Sequence, residues 1–152
     1  MEIKFNYQNE ADRLREKLGC DLVAIALVET AEQQFVLKWQ YASGNLNDRF
    51  KRIVLQSGRG VAGLVFKTGK PLLLPSVGEF IKKDGLFSYP IIMSEKLQSV
   101  AAVPLWNKGR VAGVLLCGCR KEHEITDELL QMMLKTAGEG IGNLDGKELM
   151  AL

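Results

Sequence analysis

Side chains that carry metal or nucleophilic chemistry are scarce in this sequence. Its 152 residues include three cysteines and one histidine. Cys117, Cys119 and His123 fall within one short segment, but no fourth ligand is nearby and the paired Cys-x-x-Cys spacing of zinc sites is missing. We therefore expect no metal site and no disulfide framework. A small, odd number of cysteines instead predicts reduced, buried thiols and a cytoplasmic location.

A strong excess of one charge and a long apolar run are also missing. The 20 basic and 18 acidic residues give a net charge of +2, too little for a protein that binds nucleic acid by neutralising phosphates. The longest uncharged apolar stretch is 111–119, whereas a membrane helix needs about 20 residues. The N-terminal residues show no secretory signal. With 47% apolar residues, the chain is expected to form one domain over 1–152, with neither membrane nor nucleic acid as partner.

Apolar periodicity predicts a helix near each end of the chain. Apolar residues recur every three or four positions over 9–18, and Gly19 is expected to end that helix. Thr126 is a typical N-cap for a long second helix. Its expected apolar stripe is Leu129, Met132, Met133, Ala137 and Ile141.

Between these helices the sequence predicts strands and short helices. The continuous apolar run 22–28 indicates a strand covered on both faces, and the alternating run 34–42 places Phe35, Leu37, Trp39 and Tyr41 on one face, with a turn over 29–33. Further strands are expected over 53–55, 72–74, 99–106 and 111–119, and short helices over 61–67 and from 88–90. The whole pattern predicts an α+β fold, an antiparallel sheet with helices on one face.

Three segments carry a family resemblance: SGRGVAGLVFKTGKPLLLPSV, LQSVAAVPLWNKGRVAGVLLCG and ITDELLQMMLKTAGEGI. With the order of elements, they resemble the GAF family of small-molecule sensor domains over nearly the whole chain. The resemblance implies a GAF (PAS-like) fold. In that fold a central antiparallel sheet carries the two terminal helices on one face and a ligand pocket, roofed by the middle segment, on the other.

Within that family the chain is similar to stand-alone bacterial nitrate receptors. This resemblance implies nitrate as the ligand, no cofactor, no catalytic residue, and a sensor histidine kinase as the partner that the receptor modulates. It also implies the site residues, which are Trp39, Val61, Ala62, Tyr89, Pro90 and Ile91. Val61 stands where leucine is expected, a departure that leaves backbone amide donation unaffected.

These residue types are chemically suited to holding an anion. The first N–H groups of a helix lack intrahelical partners and carry partial positive charge, so two converging helix starts can bind an anion without a salt bridge. Gly58 and Gly60 allow the backbone to approach closely. The segment 49–70 holds six basic and no acidic residues, which would concentrate anions nearby. These are Arg49, Lys51, Arg52, Arg59, Lys67 and Lys70.

Simpler interpretations of each feature stay open. A Gly-x-Gly turn, a capped short helix, a core tryptophan and a solvated basic surface all occur without a ligand. Another small organic ligand is the alternative to nitrate. A free methionine sulfoxide reductase is a third, but that chemistry needs a nucleophilic thiol near the pocket, and 79–93 contains no cysteine.

Self-association is a further open expectation. The predicted C-terminal helix carries Gly138, Gly140 and Gly142, although glycine is unfavourable inside a helix. They indicate either a frayed helix end or the close approach of a partner helix, from the kinase or from a second copy in a homodimer.

Overall fold

The computed structural model describes residues 5–31, 34–81, 85, 88–142 and 144, and these contain five α-helices, five β-strands and a 3₁₀ helix. The helices are α1 (Tyr7–Leu18), α2 (Gly60–Thr68), α3 (Val77–Phe80), α4 (Pro90–Glu95) and α5 (Asp127–Glu139), with the 3₁₀ helix at Arg49–Arg52. The strands are β1 (Leu22–Ala31), β2 (Gln34–Ser43), β3 (Leu72–Leu74), β4 (Ser99–Asn107) and β5 (Arg110–Cys119).

The five strands form one antiparallel sheet in the order β2-β1-β5-β4-β3. Strands β4 and β5 are joined by a tight turn at Lys108 and Gly109, both with positive φ, the backbone that such hairpin turns require. Strands β2 and β3 lie at opposite edges, so the chain between them must cross the sheet. That crossing segment contains the 3₁₀ helix and α2, and it brings the middle of the chain over one face.

Each face of the sheet carries its own apolar cluster. The terminal-helix cluster contains the buried sides of α1 and α5, including Leu14 and Met133. The site cluster, on the other face, contains the buried sides of α2 and α4, including Val65 and Ile92. The expected α+β GAF fold, with both terminal helices on one face, is confirmed.

Both terminal helices begin and end as capping chemistry dictates. The Asn6 side chain accepts a hydrogen bond from the Asn9 N–H, and Gly19 ends α1 in the left-handed conformation. The hydroxyl of Thr126 accepts one from the Leu129 N–H at 3.3 Å. The sequence signals for these ends are therefore confirmed.

Strand β2 contains a β-bulge that the alternating pattern did not reveal. Ile25 pairs with Tyr41 and Ala26 pairs with Trp39, so Gln40 is the extra residue. An extra residue shifts the alternation of faces by one. Trp39 consequently points into the site cluster, while Tyr41 packs on the terminal-helix side and stacks on Tyr7 with ring centroids 5.5 Å apart. The expectation that Trp39 and Tyr41 share a face is wrong.

Three other local expectations are also corrected. The segment 53–55 is not a strand, because no described strand pairs with it, and Val54 is 79% exposed. The buried stripe of α5 runs through Leu130, Met133 and Ala137, whereas Met132 is exposed. Helix α5 ends at Glu139, so only one of the three glycines near it lies inside the helix.

The turn between β1 and β2 is shorter than expected. Strand β1 continues to Ala31, which pairs with Gln34, and residues 32–33 lie outside the described residues. None of the helices in the described ranges has the length and apolarity needed to cross a bilayer.

Candidate functional site

The start of α2 is a tight backbone turn that leaves amide groups available. Gly58 and Gly60 both have positive φ, 83° and 70°, and the Gly58 N–H donates to the Gly63 carbonyl at 2.8 Å. No side chain caps this helix start. Because the first N–H groups of a helix have no intrahelical acceptor, the amides of Val61 and Ala62 are available as donors.

Helix α4 begins beside this turn. Pro90 is its first residue and Tyr89 its N-cap, again without a capping side chain. Since proline has no N–H, the first amides that this helix offers belong to Ile91 and Ile92. The Tyr89 ring lies edge-on to Phe80, with centroids 5.6 Å apart, and this contact connects α4 to α3.

The two helix starts meet at one cavity. A Cβ built on Gly60 would lie 3.6 Å from the Ser88 carbonyl oxygen, which shows how closely the two segments approach. A cleft of about 580 Å³ lies between them, walled by the 53–56 segment, the glycine turn and the start of α4. Among its lining residues are four of the expected site residues: Val61, Tyr89, Pro90 and Ile91.

Trp39 and Ala62 are not among the residues that line this cleft. Both belong to the same apolar cluster as Val61, Tyr89 and Ile91, and Trp39 is only 2% exposed. The indole Nε1 of Trp39 is buried and has no hydrogen-bond acceptor among the described residues. A buried, unpaired donor of this kind is rare, because losing its water without a replacement costs about 1–3 kcal/mol.

A fully buried carboxylate holds the far end of α4. Glu95 Oε1 accepts hydrogen bonds from the Leu46 N–H at 2.8 Å and from Arg120 Nη2 at 2.8 Å. Arg120 also donates to the carbonyls of Glu95 and Gly44. This ion pair, which we call the α4 anchor, ties the helix to the loop after β2 and to the end of β5. Local sequence patterns do not predict this pair, although an acid in an otherwise uncharged apolar helix is a signal for it.

The electrostatic surroundings of the cleft are positive. All six basic side chains of 49–70 are exposed, and none forms an ion pair with another described residue. Only one lining residue of the cleft carries a formal charge, namely Arg59, whose Nη1 donates to Gln56 Oε1 at 3.2 Å. The local potential therefore favours an anion.

The three cysteines lie on the opposite side of the sheet. Cys20, Cys117 and Cys119 are free, buried and part of the terminal-helix cluster. A hydrogen bond with Cys20 and burial raise the pKa of the Cys117 thiol, and the same hydrogen bond lowers the pKa of Cys20. Burial raises the pKa of Cys119. No cysteine lines the cleft, and no group of three metal-ligating side chains occurs in the described part of the chain.

The fold and the cleft define the class of this protein. A family model described as the GAF domain matches residues 6–141, and the chain belongs to the GAF domain family. No curated protein matches it.

The chain is also similar to several solved structures. The chain is 43% identical to a mutated NreA protein of Staphylococcus aureus, altered in its nitrate binding site, with a TM-score of 0.72 over 79% of this chain and 88% of that chain. A second structure of mutated NreA from Staphylococcus aureus is 40% identical, with a TM-score of 0.72 over 83% of this chain and 96% of that chain. A free methionine-R-sulfoxide reductase from Neisseria meningitidis, in complex with its substrate, is 25% identical, with a TM-score of 0.60 over 84% and 73%.

Proposed function

We propose that this GAF domain is a nitrate receptor. The observation that carries the proposal is the buried indole Nε1 of Trp39, which lacks an acceptor among the described residues and lies in the same cluster as the two helix starts. An anion bound there would satisfy this donor. The 43% identity to a protein with a nitrate binding site supports nitrate as that anion.

We assign the site to the residues that the resemblance implies. Trp39 donates through Nε1, and Val61, Ala62 and Ile91 donate through their backbone amides. Tyr89 and Pro90 form part of the wall that keeps these donors in an apolar environment. The ligand is held by neutral donors and helix dipoles, without a salt bridge.

Neutral donors favour a singly charged, weakly hydrated anion. A buried ion must recover through protein contacts the hydration that it gives up, and this cost rises steeply with charge. Amides and one indole can compensate nitrate, whereas sulfate carries twice the charge and is held more strongly by water. The exposed basic segment raises the local concentration of either anion, so selectivity comes from the buried donors.

The domain acts as a receptor and not as an enzyme in this proposal. Its thiols are buried on the opposite side of the sheet from the cleft, a poor arrangement for the thiolate chemistry of a methionine sulfoxide reductase. The expected partner is a cytoplasmic sensor histidine kinase whose phosphorylation responds to the nitrate-bound state. A homodimer stays a prediction.

Calorimetric titration of nitrate into variants of Val61 and Ala62 tests the site. Val61→Pro removes the amide N–H in the first helical turn, where proline is tolerated, and we expect nitrate affinity to fall about tenfold or more, as for a lost hydrogen bond to a charged group. Val61→Leu keeps the N–H and should bind like the wild type. Ala62→Asp should abolish binding, because its carboxylate would repel the anion at short range.

The ligand found in the purified protein decides between the alternatives. Native mass spectrometry that detects an organic molecule, together with no heat on titration with nitrate, would overturn the proposal in favour of an organic-ligand GAF domain. Equal loss of affinity in Val61→Leu and Val61→Pro would contradict the role assigned to the backbone amide.

A further inference from the structure

A second concavity lies on the outer side of α4. It has a volume of about 680 Å³ between the loop after β2, the 3₁₀ helix and α4. We call it the basic groove and define it by six of its lining residues: Leu46, Arg49, Ile53, Pro90, Met93 and Lys96. It is distinct from the cleft, although Ile53 and Pro90 line both.

Exposed apolar side chains concentrate at this groove. Leu46 is 51% exposed and Met93 39%, and Val54, beside the shared wall residue Ile53, is 79% exposed. These are three of only six large apolar side chains that are exposed in the described part of the chain. Exposed apolar side chains grouped around a concavity with a polar rim mark sites of protein contact.

The rim of the groove is positively charged. Arg49 and Arg52 stand three apart in the 3₁₀ helix and therefore lie on the same side of it. With Lys51 and Lys96 they give four exposed cations, none in an ion pair with a described residue. Two acids are close by in the chain, the exposed Asp48 and the buried Glu95, and Glu95 is already paired with Arg120. An apolar floor with a basic rim is complementary to a segment with an apolar stripe and acidic flanks.

We propose that the basic groove binds an acidic amphipathic segment of a partner protein. The apolar side chains of that segment lie between Leu46 and Met93, and its carboxylates pair with Arg49, Arg52 and Lys96. A concave floor accepts inserted side chains, whereas binding to a lipid surface requires apolar groups that protrude. The proposal rests on the proposed function only in assigning the groove to the partner that the receptor modulates.

Ile53 and Pro90, which line both concavities, connect the groove physically to the cleft. Pro90 begins α4 at the cleft, Met93 follows on the same helix at the groove, and Lys96 is the C-cap residue of that helix. Because α4 is fixed at its far end by Glu95 and Arg120, a shift of its first turn would change the shape of the groove.

Fluorescence anisotropy with a defined peptide tests the proposal. The probe is a labelled helical peptide of about 18 residues, with leucines at i, i+3, i+4 and i+7, glutamates flanking that stripe and alanines elsewhere. We expect the wild-type protein to bind it, and Arg49→Glu with Arg52→Glu to weaken binding at least about tenfold. The matched control, Lys121→Glu with Lys135→Glu, changes the net charge equally on exposed residues away from the groove and should change affinity less than about threefold.

A second matched pair tests the apolar floor. Met93→Ser should weaken peptide binding at least about fivefold, whereas Met132→Ser, at an exposed methionine on α5, should leave it unchanged. Met93→Ser should still bind nitrate like the wild type in calorimetry. Peptide binding without nitrate binding would overturn the proposed function alone, and nitrate binding without peptide binding would overturn the groove alone.

The remaining outcomes each contradict the groove proposal. Equal losses in the two charge-reversed pairs would show non-specific attraction. Binding of a peptide with lysines in place of glutamates would exclude charge complementarity. Sedimentation with phosphatidylglycerol vesicles, lost in Arg49→Glu with Arg52→Glu, would identify a membrane instead. Concentration-dependent dimers sensitive to Met93→Ser would identify a second copy of the chain as the occupant.

Discussion

At position 39 an indole N–H lies inside an apolar cluster with no acceptor from the described residues. Tryptophan combines a large apolar body with one polar donor, and buried examples normally find a partner. An anion in the same cluster would supply that partner. In the proposed receptor, this residue would lower the stability of the nitrate-free protein and raise its affinity for nitrate.

Replacing this donor separates its role in binding from its role in packing. We expect Trp39→Phe to weaken nitrate binding about tenfold or more, because a hydrogen bond to a charged group is lost. The stability of the nitrate-free protein should fall by less than about 2 kcal/mol, since most of the ring volume remains and an unpaired donor disappears. Calorimetry and urea unfolding measure the two effects.

Trp106 provides the matched control for this change. It is half-buried in β4, away from the cleft, so Trp106→Phe should leave nitrate affinity unchanged. Wild-type affinity in Trp39→Phe would show that the indole N–H does not contact the ligand.

Breaking the α4 anchor is expected to lower the stability of the protein. Arg120→Ala leaves the fully buried Glu95 carboxylate without its cation, and breaking a buried ion pair costs about 3 kcal/mol. Lys38→Ala breaks the exposed pair with Glu29 and should cost less than about 1 kcal/mol. Urea unfolding of both variants measures the difference, and equal costs would contradict the structural role given to Arg120.

At the scale of elements, the glycine turn before α2 determines where the site amides lie. A Cβ on Gly63 would come within 2.0 Å of the Gln56 carbonyl oxygen, so Gly63→Ala must displace the 56–60 turn. We expect a loss of stability of roughly 2 kcal/mol or more, together with weaker nitrate binding. Thermal unfolding and calorimetry on the same samples measure both.

Gly78→Ala, in a different short helix, is the control for Gly63→Ala. Gly78 lies in α3, and its nearest atom to an added Cβ is 3.9 Å away, so alanine should be neutral or stabilising by up to about 1 kcal/mol. If Gly63→Ala proved equally harmless, the close approach of the turn to α2 would not be needed for the site.

The elements differ in how well their sequences predict them. Gly19 and Thr126 determine the ends of α1 and α5 through local backbone chemistry, so both were predictable. The bulge at Gln40 was not, because it depends on pairing between β1 and β2. The segment 53–55 has a strand-like composition but no strand beside it, and only the tertiary arrangement shows this.

The candidate site also combines features that the local sequence predicts with features that only the tertiary structure shows. The resemblance supplied its residues, and the spacing of Gly58 and Gly60 predicted a helix start. The missing acceptor of the Trp39 donor depends on how the site cluster packs around it, and the α4 anchor joins residues far apart in the chain. Neither can be derived from local periodicity.

At the scale of the whole molecule, the sheet separates the cleft from the three thiols. The raised pKa of Cys117 means that the folded protein holds its proton at pH values where the unfolded chain has lost it. Stability from this thiol is full below the unfolded-state pKa of about 8.5 and is lost as pH rises above it. We expect this contribution of Cys117 to the free energy of unfolding to fall over the pH interval above about 8.5.

Cys117→Ala tests this pH dependence. The variant should lose less stability than the wild type over that pH interval in urea unfolding, while its nitrate affinity at neutral pH should be unchanged. A nitrate affinity that depends on Cys117 would contradict the separation of the two faces.

The most direct test of the account follows the two indole N–H signals by ¹H–¹⁵N NMR during a nitrate titration. The protein has two tryptophans, so Trp106 serves as an internal reference, and the spectrum of Trp39→Phe assigns the signals. We expect the Trp39 indole and the amides of Val61, Ala62 and Ile91 to shift with nitrate, the Trp106 indole to stay in place, and sulfate at equal ionic strength to shift none of them. Nitrate binding that leaves the Trp39 indole unmoved, or equal shifts with sulfate, would contradict the proposed anion site.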